Sequence, residues 1–414
     1  MRLRSVGRWI WVGGLALACA SLDGSSLALH DAAIVVDTHS DTTPRFQDPD
    51  WDFAARHDAA DGDMDLPRIR DGGLDVEFWS IYMGKREGEG LAIREALERI
   101  DAVYDMVERN ADDVVLATTV AEVREAVAAG KFVSLMGIEG GHIIEGSLPA
   151  LRSFHRLGVR YMTLTHSFNT SWADSSGTVD APEPLHGGLT EFGREVVLEM
   201  NRLGMMVDVS HVSDATFFDV IETTLAPVIA SHSSVRAIAD HTRNMRDEML
   251  RALAKNGGVI MINFYPVYID EAAGDSAKVY FAEHGAAFAE LRERYADDPK
   301  GRRLATREHF RKYPVPQTSL DVLLDHFDHA IRVAGPDHVG IGADWDGVAS
   351  MPIGMEDVSH LPSLTEGLLE RGHSRETVTK VLGENLLRVM GAVESVSEAL
   401  RHGEARISTH SIAE

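Results

Sequence analysis

Residues 34–41 read IVVDTHSD: three β-branched residues run straight into Asp37, His39 and Asp41. The pattern recurs along the chain. Eight short β-branched or apolar runs, at Ile34–His39, Leu74–Met83, Phe132–Glu139, Val159–His166, Met205–His211, Pro227–His232, Gly257–Phe264 and His338–Asp344, alternate with polar loops and amphipathic stretches. Six of them end in a histidine or an acid: His39 with Asp41, Glu139, His166, His211, His232 and Asp344. Such chemistry at one end of successive strands constrains the fold, because only parallel strands open their like ends on one face.

Leu91–Arg109, Ala121–Ala129, Thr190–Leu203, Met245–Lys255, Ser319–Val333 and Arg375–Val389 carry apolar residues at three-and-four spacing, which predicts helices between the strands. With 414 residues, 44% of them hydrophobic, the chain can fill one large core. Eight parallel strands with intervening helices close into a barrel, so the expected fold is α/β, a (β/α)8 TIM-type barrel. The alternative is a doubly wound open sheet, which wants a glycine-rich phosphate turn after its first strand; none follows Ile34–His39. No repeat, low-complexity block or Pro/Gly/Ser linker divides the chain, so residues 21–414 are expected to form a single domain. An insertion at about residues 266–318 interrupts it, with Ala272–Tyr295 read as helical and Tyr313–Gln317 as extended. A loop of that size beside strand ends is expected to be a lid or a dimerisation arm.

The first twenty residues stand apart. Arg2, Arg4 and Arg8 precede an apolar run from Trp9 to Ala20, with small residues at Ala16, Ala18 and Ala20, the layout of a secretory signal peptide. Export to a bacterial periplasm or the extracellular space is expected. The sole cysteine, Cys19, ends the stretch LALAC, a partial lipoprotein box, so lipidation on Cys19 is the alternative to cleavage near Ala18 or Ala20. Without that segment no cysteine is left for a disulfide, and stability falls to the core and to bound metal. Losing Arg2, Arg4 and Arg8 with it takes the formal charge from −25 to −28, which argues against nucleic acid or an anionic membrane surface as partner.

In a parallel barrel, residues two apart on a strand point the same way, so His39 and Asp41 can both face the mouth. Glu139, His211 and His232 converge there. Imidazole nitrogen and carboxylate oxygen suit zinc, and five such donors suit two ions sharing a carboxylate better than one ion. Taken singly these residues say little, since a lone histidine at a strand end is more often a surface or capping group. Asp174, Asp214 and Asp346 read as helix N-caps. His142 and His241 lie near strand ends without continuing a strand, and the remaining histidines fall in loops or helical stretches, so none of these joins the candidate set.

With these residues assembled, the chain resembles the membrane dipeptidase (renal dipeptidase-like) family of zinc metallopeptidases, a branch of the metal-dependent hydrolases built on the (β/α)8 barrel. The resemblance runs from about Ile34 to about Val393 and rests on DTHSD, GIEGGH, TLTHSFNTSWADS, DVSHVS, ASHSSVR, TRN, NFY and GADWDG in family order. It implies hydrolysis of dipeptides to free amino acids by two Zn2+ per chain. His39 and Asp41 would hold one ion, His211 and His232 the other, and Glu139 would bridge both. His166 would contact the substrate and stabilise the oxyanion, Arg243 would bind the free carboxylate, and Tyr268 would touch the substrate. Asp344 would shuttle the proton of a hydroxide held between the ions. A D-residue at the C-terminal position lies within the implied substrate range, and the family likeness implies a homodimer. The chain departs from the animal members in lacking their disulfide cysteines and in its polar end, RISTHSIAE, which offers no lipid anchor. The insertion borders Tyr268, so it bears on substrate preference more than on chemistry.

Two other readings stay open. Another binuclear-metal amidohydrolase would commonly bridge its ions with a carboxylated lysine, whereas this chain has Glu139 there and no lysine at a candidate strand end. An exported peptide-binding protein without catalysis would need the pocket, but not five metal ligands with Asp344 beside them.

Overall fold

The computed structural model describes residues 24–58, 61–85, 90–178 and 180–403. The expected signal segment, residues 1–20 with Cys19, lies outside the described residues. Each expected apolar run contains a strand: β1 (Val36–Ser40), β2 (Val76–Tyr82), then a short extra strand β3 (Val114–Leu116), β4 (Phe132–Glu139), β5 (Val159–Thr163), β6 (Met206–Asp208), β7 (Ile229–Ser233), β8 (Val259–Ile262) and β9 (Val339–Ile341). All pairings are parallel, in the order β2-β1-β9-β8-β7-β6-β5-β4, and a β2–β4 ladder from Val76↔Val133 to Tyr82↔Glu139 closes a ring of eight. That closure excludes the open sheet. The three-residue β3, too short an apolar run to read as a strand, pairs with Phe132–Ser134 on the edge of β4 that β5 takes over from Met136, and so stays outside the ring.

Alternation along the strands sorts their side chains into two cores. Val36, Val76, Phe78, Val133, Leu135, Tyr161, Met206, Ile229 and Met261 come from seven different strands and form one cluster, which places them inside the barrel. Leu386, Leu387 and Met390, on the helix Asn385–Arg401, join that cluster from one end. Gly383 lies against the Ile34 carbonyl just ahead of β1, so the plugged end is the amino end of the strands. Trp79, Ile81, Met136 and Ile138 face outward, into a core shared with Ala92, Ala96, Ile100 and Val103 of the helix Leu91–Arg109. At about 1.5–3 kcal/mol for each large apolar side chain fully buried, these two layers can hold the fold without a disulfide.

Several strands, β5, β6, β8 and β9 among them, end two or three residues sooner than the apolar pattern suggests, whereas β4 ends where expected and β1 and β7 run one residue further. β6 stops at Asp208 and β9 at Ile341, because His211 (φ 65°) and Asp344 (φ 70°) adopt left-handed backbone that a strand cannot continue through. The insertion between β8 and the helix Leu320–Ala334 holds the expected helix, at Glu271–Arg294, and a second one, Pro299–Lys312, that the apolar spacing misses. That second helix buries none of its residues, so it has no apolar stripe to betray it. No described helix is long and apolar enough to cross a membrane.

Candidate metal centre and substrate cleft

The open, carboxyl end of the barrel gathers the candidate residues around Glu139, the last residue of β4. Its Oε1 lies 3.0 Å from His211 Nε2, 3.3 Å from His232 Nε2 and 3.5 Å from His166 Nε2, while Oε2 lies 3.5 Å from His39 Nε2. His39 Nε2 in turn stands 3.7 Å from Asp41 Oδ2 and 4.0 Å from Asp344 Oδ1. Three overlapping sets, His39/Glu139/His232, Glu139/His166/His211 and His39/Asp41/Asp344, each bring their donor atoms within 4.8 Å of one another. Glu139 is common to two sets, as is His39. Distance alone does not divide the seven into ligands and neighbours: His166 and Asp344 fall within these sets beside the five expected ligands.

Residues behind the histidines fix which nitrogen faces inward. The Tyr161 hydroxyl donates to the Thr38 carbonyl (3.0 Å), so its oxygen accepts from His39 Nδ1–H (3.0 Å). The Ser231 hydroxyl donates to Asp208 Oδ2 (2.6 Å) and accepts from His232 Nδ1–H (2.8 Å). Both tethers put the hydrogen on Nδ1 and leave the Nε2 lone pair pointing at Glu139, the arrangement a metal-ligating histidine needs. His39 Nε2 has no hydrogen-bond partner although it is fully buried, and the Nε2 atoms of His211 and His232 approach to 2.9 Å. Buried lone pairs converging in this way fit divalent cations of the zinc type.

The electrostatics agree. Burial, reinforced by Arg243 and by neighbouring histidines, holds His211 and His232 well below the usual imidazole range, hence neutral and able to ligate. Burial opposes ionisation of Glu139, yet the surrounding histidines, His39 and His166 foremost, outweigh it and hold its pKa well below the usual carboxylate range. Burial also works against charge on His39, where Tyr161, Glu139 and Asp41 prevail and raise its pKa well above the ordinary value. A cation at Nε2 would replace the proton those acids attract. Burial, with Asp41 and Glu139 nearby, pushes Asp344 up to about 7 against the opposing pull of His39.

Asp41, Glu139, His166, His211, Tyr268 and Asp344 line an open cleft of about 1580 Å³, roofed by the two helices of the insertion. Arg243 stands behind Tyr268, its guanidinium 5.5 Å from that ring, and donates to the His232 carbonyl (3.0 Å). Its Nε and Nη1 are buried and have no hydrogen-bond partner.

The three expected N-caps are something else. Asp174 accepts the backbone N–H groups of Leu185, His186, Gly187 and Gly188 and so fixes a loop. Asp214 follows the true cap, Ser213, and pairs with Arg236 (3.0 Å); Asp346 pairs with Arg45 and Arg307. His241, set aside by its position, packs its ring 4.6 Å from that of Tyr268. Sequence reasoning also passed over Tyr161, Asp208 and Ser231, and gave no role to Asn263, whose amide donates to Asp344 Oδ2 (2.9 Å). Asp37 has a structural place: its Oδ1 accepts from the N–H groups of His39 (3.2 Å) and Ala343 (2.9 Å), tying β1 to the loop after β9.

Known proteins are similar to this chain in sequence and in fold. A curated relative, the dipeptidase aclJ of Aspergillus oryzae, is 38% identical over 353 residues, covering 83% of this chain and 73% of its own. The probable dipeptidase PvdM of Pseudomonas aeruginosa superposes with a TM-score of 0.72 at 26% identity, covering 90% of this chain and 98% of its own. A metallopeptidase from Rhodobacter sphaeroides, solved with a phosphinate mimic of the dipeptide L-Ala-D-Ala, superposes with a TM-score of 0.68 at 27% identity, covering 87% and 99%. The model of the membrane dipeptidase family matches residues 25–404, so the chain belongs to that family, peptidase family M19, and is a metallo-dipeptidase.

Proposed function

We propose that this metallo-dipeptidase works with two zinc ions, one held by His39 and Asp41 and one by His211 and His232, with Glu139 bridging. The observation that carries this reading is the central placement of Glu139, with one oxygen toward His211 and His232 and the other toward His39. When bound, such ions polarise the peptide carbonyl and lower the pKa of the attacking water so that hydroxide is available near neutrality. The protein does the rest. Arg243, with two unpaired N–H faces, takes the C-terminal carboxylate in a planar fork. His166, on the cleft wall, donates to the developing oxyanion. Asp344, oriented by Asn263, takes the proton from the attacking water and passes it to the leaving amine. The cleft, at about 1580 Å³, exceeds the roughly 300–1000 Å³ of an ordinary ligand pocket, which supports a dipeptide with a bulky first side chain as substrate.

Metal analysis of protein purified without chelator should find about two zinc equivalents per chain, and chelation should abolish hydrolysis of a dipeptide panel until zinc is restored. A chain that binds no zinc and stays inactive after zinc is added would sink the reading. Tyr161→Phe leaves His39 Nδ1–H and the Thr38 carbonyl without their partner, and should weaken metal retention about 10- to 100-fold in a chelator competition. Unchanged retention would show that the tether does not matter for binding.

A further inference from the structure

The roof helix Pro299–Lys312 carries Lys300, Arg303 and Arg307 on one face, three and four residues apart. It packs His309 and Phe310 against Phe288 of the other insertion helix and meets the segment after β1 by charge: Lys300 Nζ lies 2.9 Å from Asp48 Oδ1 and Arg303 lies 3.6 Å from the same carboxylate. Arg307 reaches deepest. Its Nη2 donates to Asp346 Oδ1 (2.6 Å), and both its terminal nitrogens lie 3.1 Å from Asp63 Oδ1.

Asp346 and Asp63 are also bound to each other through their backbones: each N–H donates to the other's carboxylate, both at 2.8 Å. Asp346 Oδ2 accepts from Thr42 (2.6 Å) and pairs with Arg45 (3.0 Å). Two carboxylates therefore face two guanidinium groups, and the Asp346 side chain is wholly buried. Removing Arg307 would leave the Asp63 carboxylate, 14% exposed, without its facing guanidinium.

Asp346 lies two residues from Asp344, and both are held at positive φ, 65° and 70°. Backbone of that kind persists in non-glycine residues only where the surroundings fix it. The same turn is stitched to β1, since Asp344 N–H donates to the His39 carbonyl (3.0 Å) and Asp41 N–H to the Trp345 carbonyl (2.8 Å). Gly347 closes it: a Cβ there would fall 2.4 Å from both Asp344 Oδ1 and Asp41 Oδ2. A shift of the Asp346 side chain would thus be felt at Asp344 and Asp41 together.

We propose that Arg307 is a positioning residue for the reaction, reaching from the roof to clamp Asp346 and Asp63 and so holding the left-handed turn that presents Asp344 to the substrate. The insertion is then a working part of the catalytic centre and not only a cover. This inference rests on the role given to Asp344 above.

The test compares the metal-replete full chain with Arg307→Gln, Arg307→Lys and the charge-matched double variant Arg307→Gln/Asp63→Asn, which leaves no uncompensated charge should the single variant fail to fold. We expect kcat on a good dipeptide to fall about 10- to 100-fold in the glutamine and double variants, with KM within about 3-fold, zinc content unchanged and partial rescue by lysine. Hydrogen exchange of residues 342–348 should accelerate in the same two variants. That readout needs no substrate, so it decides the clamp even if the wild-type chain were to hydrolyse no dipeptide, a failure that would strike the proposed function instead. Folded variants with wild-type kcat and wild-type exchange overturn the proposal, as does a rise in KM at constant kcat, which would make Arg307 a substrate contact.

Discussion

Glu139→Gln should lose nearly all dipeptide hydrolysis and most of its bound metal while keeping its fold. The side chain keeps its length, and Ser80, which donates to Oε2 at 3.2 Å, can still donate to the amide oxygen. What changes is the other atom. An amide NH2 placed where a carboxylate oxygen stood would point hydrogens at a cation, or at the lone pairs of His39 or of His211 and His232, according to its orientation. No orientation of the amide serves both sides. If the bridging carboxylate supplies on the order of 4 kcal/mol of transition-state stabilisation, activity falls by roughly 10³-fold. Metal analysis and steady-state rates on the same preparation check the result. A fully active variant with its metal retained would contradict the bridging role, and the two-ion reading with it.

How much of this could be read from the residues depends on what packing demands of each. β4 was legible to the residue, Phe132–Glu139, because every one of its positions is buried and its polar end is abrupt. β6 and β9 were placed but overextended, since nothing in DVSHVS or GADWDG announces the left-handed backbone at His211 and Asp344. The metal candidates were visible as a recurrence at strand ends, a signal that needs no structure beyond parallel strands. The groups that aim them were not. Tyr161 occupies an inward position of β5 and reads as one more core aromatic, and only the closed ring brings its hydroxyl to His39. The basic roof helix was missed for the converse reason: it is held by ion pairs to Asp48, Asp63 and Asp346, partners up to some 250 residues away in sequence, and a charged face looks the same in sequence whether it meets solvent or acids.

Asp344→Asn should separate two roles that the geometry leaves together. Asp344 shares a donor set with His39 and Asp41, so by distance alone it qualifies as a ligand. As the proton shuttle, it instead needs an ionisable oxygen and correct aim, and no bond to metal. Asparagine keeps the aim: it tolerates the φ of 70°, it has the same shape, and its oxygen can still accept from Asn263. It cannot take up and hand on a proton. If Asp344 is that shuttle and ground-state binding rests on Arg243 and the cleft as proposed, the variant should fold and keep its metal while kcat falls about 10²- to 10⁴-fold with KM little changed. Asp344→Ala is the weaker test, since it would also relax the left-handed turn and remove the partner of Asn263. If Asp344→Asn sheds one zinc equivalent along with its activity, Asp344 belongs among the ligands and the proton must travel by another group; if it keeps both metal and rate, neither role survives.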